Sequence, residues 1–221
     1  MNAAEAVDQL VSVIMPVYNG AQFLPETLPA VQAQTYRKIE CLAADDGSTD
    51  ASCDLLAADG HWQVLRVSRL GSNGARRAAI ARSRGAFIAL LDQDDLWHAE
   101  HLTECLAALN ACPDAPAAIG RRHRFRERGD LQLTHRVGTP TRYNAWDSFP
   151  FQVIDSPSMV VIRRSALERI GGWPEEGGAA ADCFAWWSLS ALGALAVTPG
   201  RTVGIRESSG SMSDVDRRSR V

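Results

Sequence analysis

Asp92, Asp94 and Asp95 stand at the end of a short apolar run, in Leu90-Leu91-Asp92-Gln93-Asp94-Asp95-Leu96-Trp97. Carboxylates this close repel, so at least one becomes harder to ionise unless a cation sits between them. In extended chain, residues two apart point the same way, so Asp92 and Asp94 can face one point. Hard oxygen ligands of that kind suit Mg²⁺ or Mn²⁺, usually completed by water and a substrate phosphate. A solvated acidic turn gives the same letters. The pair gains its weight from what lies upstream.

The elements that must position these residues read as alternating strands and helices. Val11 to Val17 is a continuous apolar run, the pattern of a central parallel strand covered on both faces. Asn19-Gly20 turns the chain, and Phe23, Leu24, Thr27, Leu28 and Val31 share one helical face. Ile39 to Ala44 is the second predicted strand, followed by Asp45-Asp46-Gly47 and a helix that Ser48 or Asp50 can cap. Trp62 to Val67 and Ala86 to Leu91 are the third and fourth strands, with a helix over Gly74 to Ser83 between them. A further helix is expected over about Ala99 to Asn110. Such alternation predicts an α/β fold built from right-handed crossovers, with a mostly parallel sheet and helices on both faces. Ligands of these sheets bind beyond the carboxyl ends of the strands, where Tyr18, Asp46, Asp92 and Asp94 all fall.

The second half is less regular. Ala117 to Arg126 and Met159 to Arg163 read as strands, and Gly129 to Pro150 as mostly loop. Arg164 to Ile170 and about Ala181 to Leu192 read as helices, and the polar stretch from Ser208 to Val221 as a mobile tail. One domain is expected, with a regular half over about residues 10–110 and a smaller, less regular half over about 111–207.

Composition narrows the class. Hydrophobic content of 46%, charge of 22% and a net charge of -3 are ordinary for a soluble globular chain and give no case for nucleic-acid binding. The five cysteines, Cys41, Cys53, Cys105, Cys112 and Cys183, are scattered and odd in number, which favours a reducing compartment over a disulfide framework. Met1 to Leu10 carries two acids and no basic leader pattern, and no window holds the roughly 18 apolar residues that span a bilayer. A cytoplasmic protein is expected, at most peripheral to a membrane.

These landmarks, in this order, resemble the family-2 glycosyltransferases of GT-A fold. The resemblance rests on Val13 to Asn19, Gln34-Thr35-Tyr36, Asp45 to Asp50, Gly71 to Arg76 and Gly85 to Asp95. Arg164, Gly171-Gly172-Trp173 and Asp182 with Trp186-Trp187 are looser matches on the acceptor side. It implies an inverting transfer of sugar from a nucleotide-sugar donor, UDP-linked first of all, to a glycan or lipid-linked acceptor, assisted by Mn²⁺ or Mg²⁺.

The same resemblance assigns roles. Pro16 and Tyr18 would line the nucleotide pocket, the ring of Tyr18 stacking on the base as aromatics do elsewhere; a tyrosine merely covering a strand end is the rival account. Asp46 would accept the N–H of a uracil ring, or else favour the helix N-terminus beside it. Arg76 would reach a phosphate or a base carbonyl. Asp94 would hold the metal, Asp92 the ribose or a metal-bound water, and Asp95 either ligand or the next helix. Asp182 would be the general base that takes the acceptor proton. Trp173 and Trp186 would meet the acceptor sugar, with core packing the competing reading for both.

Some residues depart from the pattern. Arg69 and Arg77 replace asparagines, Ala181 replaces an acid before the base, and Ser208 lies near the usual place of a metal-touching histidine. His98 and His101 are metal-like in spacing but read as exposed helix residues. Arg122, Arg124, Arg126 and Arg128 alternate onto one face of a strand, open to an anionic head group or simply to solvent. Two rivals stand beside the transferase: a nucleotidyltransferase, whose Gly- and Arg/Lys-rich loop after the first strand is missing, and a non-catalytic nucleotide-sugar or glycan binder.

Overall fold

The computed structural model describes residues 9–148, 154–174 and 181–207. The first strand, β1 (Val11–Val17), is buried at all seven positions: it is central, paired on both edges, and its side chains point into covered faces of the sheet. Helix α1 (Leu24–Gln32) follows, burying Leu24, Thr27, Leu28 and Val31 at helical spacing. Then come β2 (Ile39–Asp45), α2 (Ser52–Asp59), β3 (Trp62–Arg66), α3 (Gly71–Arg82) and β4 (Phe87–Leu90). β3, β2, β1 and β4 lie side by side in that order and all run parallel.

The strand order reverses direction between β1 and β4. Right-handed crossovers therefore carry α1 and α2 over one face and α3 over the other. The gap at the carboxyl ends of β1 and β4 is the switch point at which open α/β sheets bind ligands. Tyr18 leaves β1 there and Asp92 leaves β4.

Beyond β4 the sheet becomes mixed. The chain makes the two-residue β5 (Leu96–Trp97), α4 (His101–Ala111), β6 (Ala117–Phe125), β7 (Thr141–Tyr143), β8 (Val160–Arg163), α5 (Arg164–Arg169), α6 (Ala181–Leu192) and β9 (Leu195–Arg206). β8 lies antiparallel between β4 and β6, and β9 runs parallel to β6 while pairing antiparallel with β5 and β7. β9, which no strand pattern in residues 195–206 predicts, is the longest strand among the described residues. Because β6 and β9 point the same way as β4, Phe125 and Arg206 end on the same edge as Asp92.

Several local expectations change. His101 is fully buried, its Nδ1 2.9 Å from Thr202 Oγ1, and burial lowers its pKa to about 3. It is a core residue, not an exposed one. Neither Ser48 nor Asp50 occupies the cap position of α2, which is Ala51. Asp50 still accepts the backbone N–H of Ser52 at 3.0 Å and that of Ala21 at 3.0 Å, tying the two loops together. The arginine face of β6 meets carboxylates: Arg122 and Arg124 grip Asp155, Arg124 and Arg126 reach Glu207, and Arg128 reaches Glu26. No helix among the described residues is long and apolar enough to cross a membrane. The expected tail over 208–221 lies outside the described residues.

Candidate active site

Three loops meet at the switch point. Pro16 is buried near the end of β1, and Tyr18 just beyond it is 57% exposed, its ring open to solvent. The side-chain amide of Gln93 pairs with the Tyr18 backbone, accepting its N–H at 3.0 Å and donating to its carbonyl at 3.1 Å. The middle residue of the acidic motif thus fixes the aromatic residue of the first loop.

Asp46 follows β2 and is 7% exposed. Its two oxygens accept the backbone N–H groups of Leu70 at 2.7 Å and Gly71 at 2.8 Å, holding the start of α3 against the end of β2. Just before that contact, Arg69 adopts a left-handed φ of 51°. A carboxylate has about four acceptor directions. Two backbone bonds leave room for one more donor.

Arg76 projects from α3 and is buried, with its Nη2 2.7 Å from Asp92 Oδ1 and Nη1 3.1 Å from Asn73 Oδ1. Its guanidinium lies over the Trp173 ring at 5.2 Å, a cation–π arrangement. Trp173 follows two glycines, Gly171 and Gly172, with φ of 88° and 93°, a backbone that turns the indole back towards α3. The indole donates to Asn73 Oδ1 at 3.2 Å and meets Trp186 edge-on at 5.5 Å. Trp173 is 4% exposed and Trp186 is wholly buried. In this arrangement both rings belong to the core, and Trp173 acts as a platform for Arg76. Trp186 offers no face to a sugar, whereas Trp173 also lines the cavity between α3 and α6.

Asp94 and Asp95 face different surroundings. Burial and the charge of Asp92 push the Asp94 carboxyl up from 3.8 to about 6. Asp95 is wholly enclosed, and burial first, then its acidic neighbours, raise its carboxyl well above the ordinary range. It accepts from Ser156 Oγ at 2.9 Å and from the Arg206 backbone at 3.0 Å. Asp95 therefore joins the loop to β9 and touches neither open space nor a helix cap.

Asp182 sits in the first turn of α6 and accepts the Cys183 N–H at 2.8 Å. Burial raises its pKa; the charge of Arg76 pulls it back and that of Asp92 adds to the rise. It thus lies within electrostatic reach of the Arg76–Asp92 pair. The structure gathers Tyr18, Asp46, Arg76, Asp92, Asp94 and Asp182 around one strand edge. Gln93, Asn73, Ser158 (which accepts the Asp92 N–H at 2.9 Å) and Arg206 were not foreseen. Only the place of Gln93 inside the acidic motif hinted at a role.

A parallel sheet with a switch point beside an acidic motif, an aromatic residue after the first strand and a buried carboxylate after the second is the GT-A architecture. Residues 12–171, more than half of the chain, match the model of glycosyl transferase family 2, and the chain belongs to that family. Among curated relatives, glycosyltransferase GlyG of Streptococcus pneumoniae serotype 4 is 32% identical over 126 residues, 55% of this chain and 42% of that protein. The Escherichia coli UDP-Glc:alpha-D-GlcNAc-diphosphoundecaprenol beta-1,3-glucosyltransferase WfgD is 39% identical over 98 residues, 43% of this chain and 39% of that one. This chain therefore spans about 40% of the length of these relatives. S. aureus TarS residues 1–349, in complex with UDP, superpose with a TM-score of 0.72 at 20% identity over 90% of this chain and 60% of that one. That likeness gives the fold.

Proposed function

We propose that the protein transfers a sugar from a nucleoside-diphosphate sugar, UDP-linked, to an acceptor hydroxyl with inversion, and that Asp182 is the general base. The observation that carries this reading is the ion pair between buried Arg76 and Asp92, 2.7 Å long beside the acidic motif, whose charges both act on the Asp182 carboxyl.

Each residue has a task that its surroundings suit. The exposed Tyr18 ring stacks on the base, beside a β1 end lined by Pro16. Asp46, with acceptor capacity left after its two backbone bonds, takes the N–H of uracil, which cytosine lacks. WfgD is named for a UDP-Glc donor and the TarS structure holds UDP, and both agree with this choice. Arg76 keeps Asp92 oriented towards the ribose and adds positive charge near the phosphates.

Among the described residues no three His, Cys, Asp or Glu side chains gather as a ready-made metal cage. Asp94 is instead a carboxyl pressed upward by burial and by Asp92, which suits a divalent cation that takes its remaining ligands from diphosphate and water. Mn²⁺ or Mg²⁺ at Asp94, when bound, would offset the charge on the departing diphosphate. Asp182, raised in pKa by burial, is a stronger base than an exposed aspartate, and it takes the proton from the acceptor hydroxyl as that oxygen attacks the anomeric carbon. The attack comes from the face opposite the leaving group, so configuration inverts. The acceptor is a glycan or a lipid-linked sugar, the kind of acceptor for which WfgD is named. Such a transferase would work in the cytoplasm, next to a membrane when the acceptor is a lipid.

Thermal-shift titration with UDP, GDP and their sugars, with and without Mn²⁺, tests the donor site. Metal-dependent stabilisation by UDP should vanish in Asp94→Asn. Asp182→Asn should keep donor binding and lose transfer by about 10²–10⁴-fold, the usual worth of a general base. Donor binding without turnover by the parent protein would make it a binding module instead.

A further inference from the structure

The acidic loop is held from behind by its peptide carbonyls. Asp92 O accepts the Asp95 N–H at 3.2 Å, closing a turn. Thr27 Oγ1 donates to Gln93 O at 2.8 Å and lies 3.3 Å from Asp95 O. Asp94 O accepts from Arg206 Nε at 3.1 Å. The carbonyls of Asp92, Gln93 and Asp94 are thus each hydrogen-bonded within the protein, and Asp95 O packs against the Thr27 hydroxyl.

Arg206 is the long-range part of this clamp. Its side chain is 10% exposed. Its backbone N–H holds Asp95, its Nη2 reaches Glu26 at 3.2 Å, and its guanidinium lies over Phe125 at 4.6 Å and Phe23 at 5.5 Å. One side chain therefore joins β9, the start of α1, the end of β6 and the acidic loop. We propose that Arg206 is a positioning residue for cation binding: it turns the Asp94 peptide inward so that the Asp94 carboxylate, not its carbonyl, faces the diphosphate. A lysine has no planar fork and cannot span Asp94 O and Glu26 in the same plane.

This inference rests on the proposed metal-dependent donor site, so two readouts are needed. The first is hydrogen exchange of residues 92–95 in metal-free protein, which requires no ligand. Arg206→Lys and Arg206→Gln should exchange faster there, while β1 and β2 stay protected. The second is the Mn²⁺ concentration that half-restores UDP-dependent thermal stabilisation. It should rise about tenfold in both variants, the order expected when a single hydrogen bond to a charged group is lost, and excess Mn²⁺ should rescue them but not Asp94→Asn. Glu26→Gln, which keeps the Asp94 contact, should shift both readouts in the same direction but less, and serves if the Arg206 variants do not fold. Unchanged exchange at residues 92–95, or an unchanged Mn²⁺ midpoint, would overturn the role of Arg206. If the parent shows altered exchange in its variants but no Mn²⁺ response at all, the metal-dependent reading of the site falls instead.

Discussion

Asp94→Asn should make the metal-free protein more stable, and the gain should depend on pH. The Asp94 carboxyl rises from 3.8 to about 6 in the folded state, through burial and the Asp92 charge. The folded protein therefore holds this proton more tightly than the unfolded chain does. As pH climbs from about 4 through 6, the folded state must ionise a group that resists it, and stability falls. Near pH 7.5 the full penalty is present, about 3 kcal/mol for a displacement of this size as an upper bound. Relaxation and partial hydration reduce it, so about 1–2 kcal/mol is a fair expectation. Asparagine keeps the shape and removes the charge, which should raise Tm by about 2–8 °C for a chain of this length. Urea denaturation of both proteins in EDTA, at pH 4 and 7.5, measures the difference directly. The variant should gain at pH 7.5 and match the parent at pH 4. Equal stability at pH 7.5, or a gain that does not change with pH, would refute the claim that Asp94 is a strained anion awaiting a cation.

Two further outcomes follow from the geometry. In Gly20→Ala the new methyl collides with the Gln93 amide, which is flexible enough to swing away at little cost to the fold. Tyr18 then loses its anchor, and UDP affinity measured by calorimetry should fall several-fold with Tm nearly unchanged; intact affinity would show that Gln93 does not order the base site. His101 has a folded pKa of about 3, well below its usual 6.5, so its contribution is complete above 6.5 and is lost as pH falls through that range. His101→Gln should flatten the decline of stability between pH 6.5 and 4 in a denaturant series, and a variant as acid-sensitive as the parent would point to other groups.

The parallel half of the sheet was readable because its signals are local. Val11–Val17 is apolar but for Ser12, and α1 repeats its apolar residues at helical spacing. β9 was missed because Pro199 and Gly200 sit in its middle, where composition argues against a strand. The structure accommodates them at a register irregularity in the β6–β9 pairing, close to Arg201. β5 is two residues long and exists only through its partner β9, so no local pattern could reveal it.

The site divides in the same way. Asp46, Arg76, Asp92 and Asp94 could be picked out by motif, since chemistry constrains their types and spacing. Burial could not: nothing in the string Gly171-Gly172-Trp173 tells whether the indole meets a sugar or supports Arg76. Alternation placed Arg122, Arg124, Arg126 and Arg128 on one face of an expected strand, of which β6 keeps only the first two, and it could not reveal the acids Asp155, Glu207 and Glu26 that meet them from distant parts of the chain. Arg206 escaped for the same reason. Its hydrogen-bond partners lie more than a hundred residues away.

That last strand has a consequence for synthesis. A ribosome releases the residues of β1 to β5 long before β9 emerges, so Asp95 has no Arg206 amide to bind and β5 has nothing to pair with during that interval. Nascent chains halted before Leu195 should carry an unfinished acidic loop, and competence for sugar nucleotide would arrive late, together with the strand that finishes the sheet.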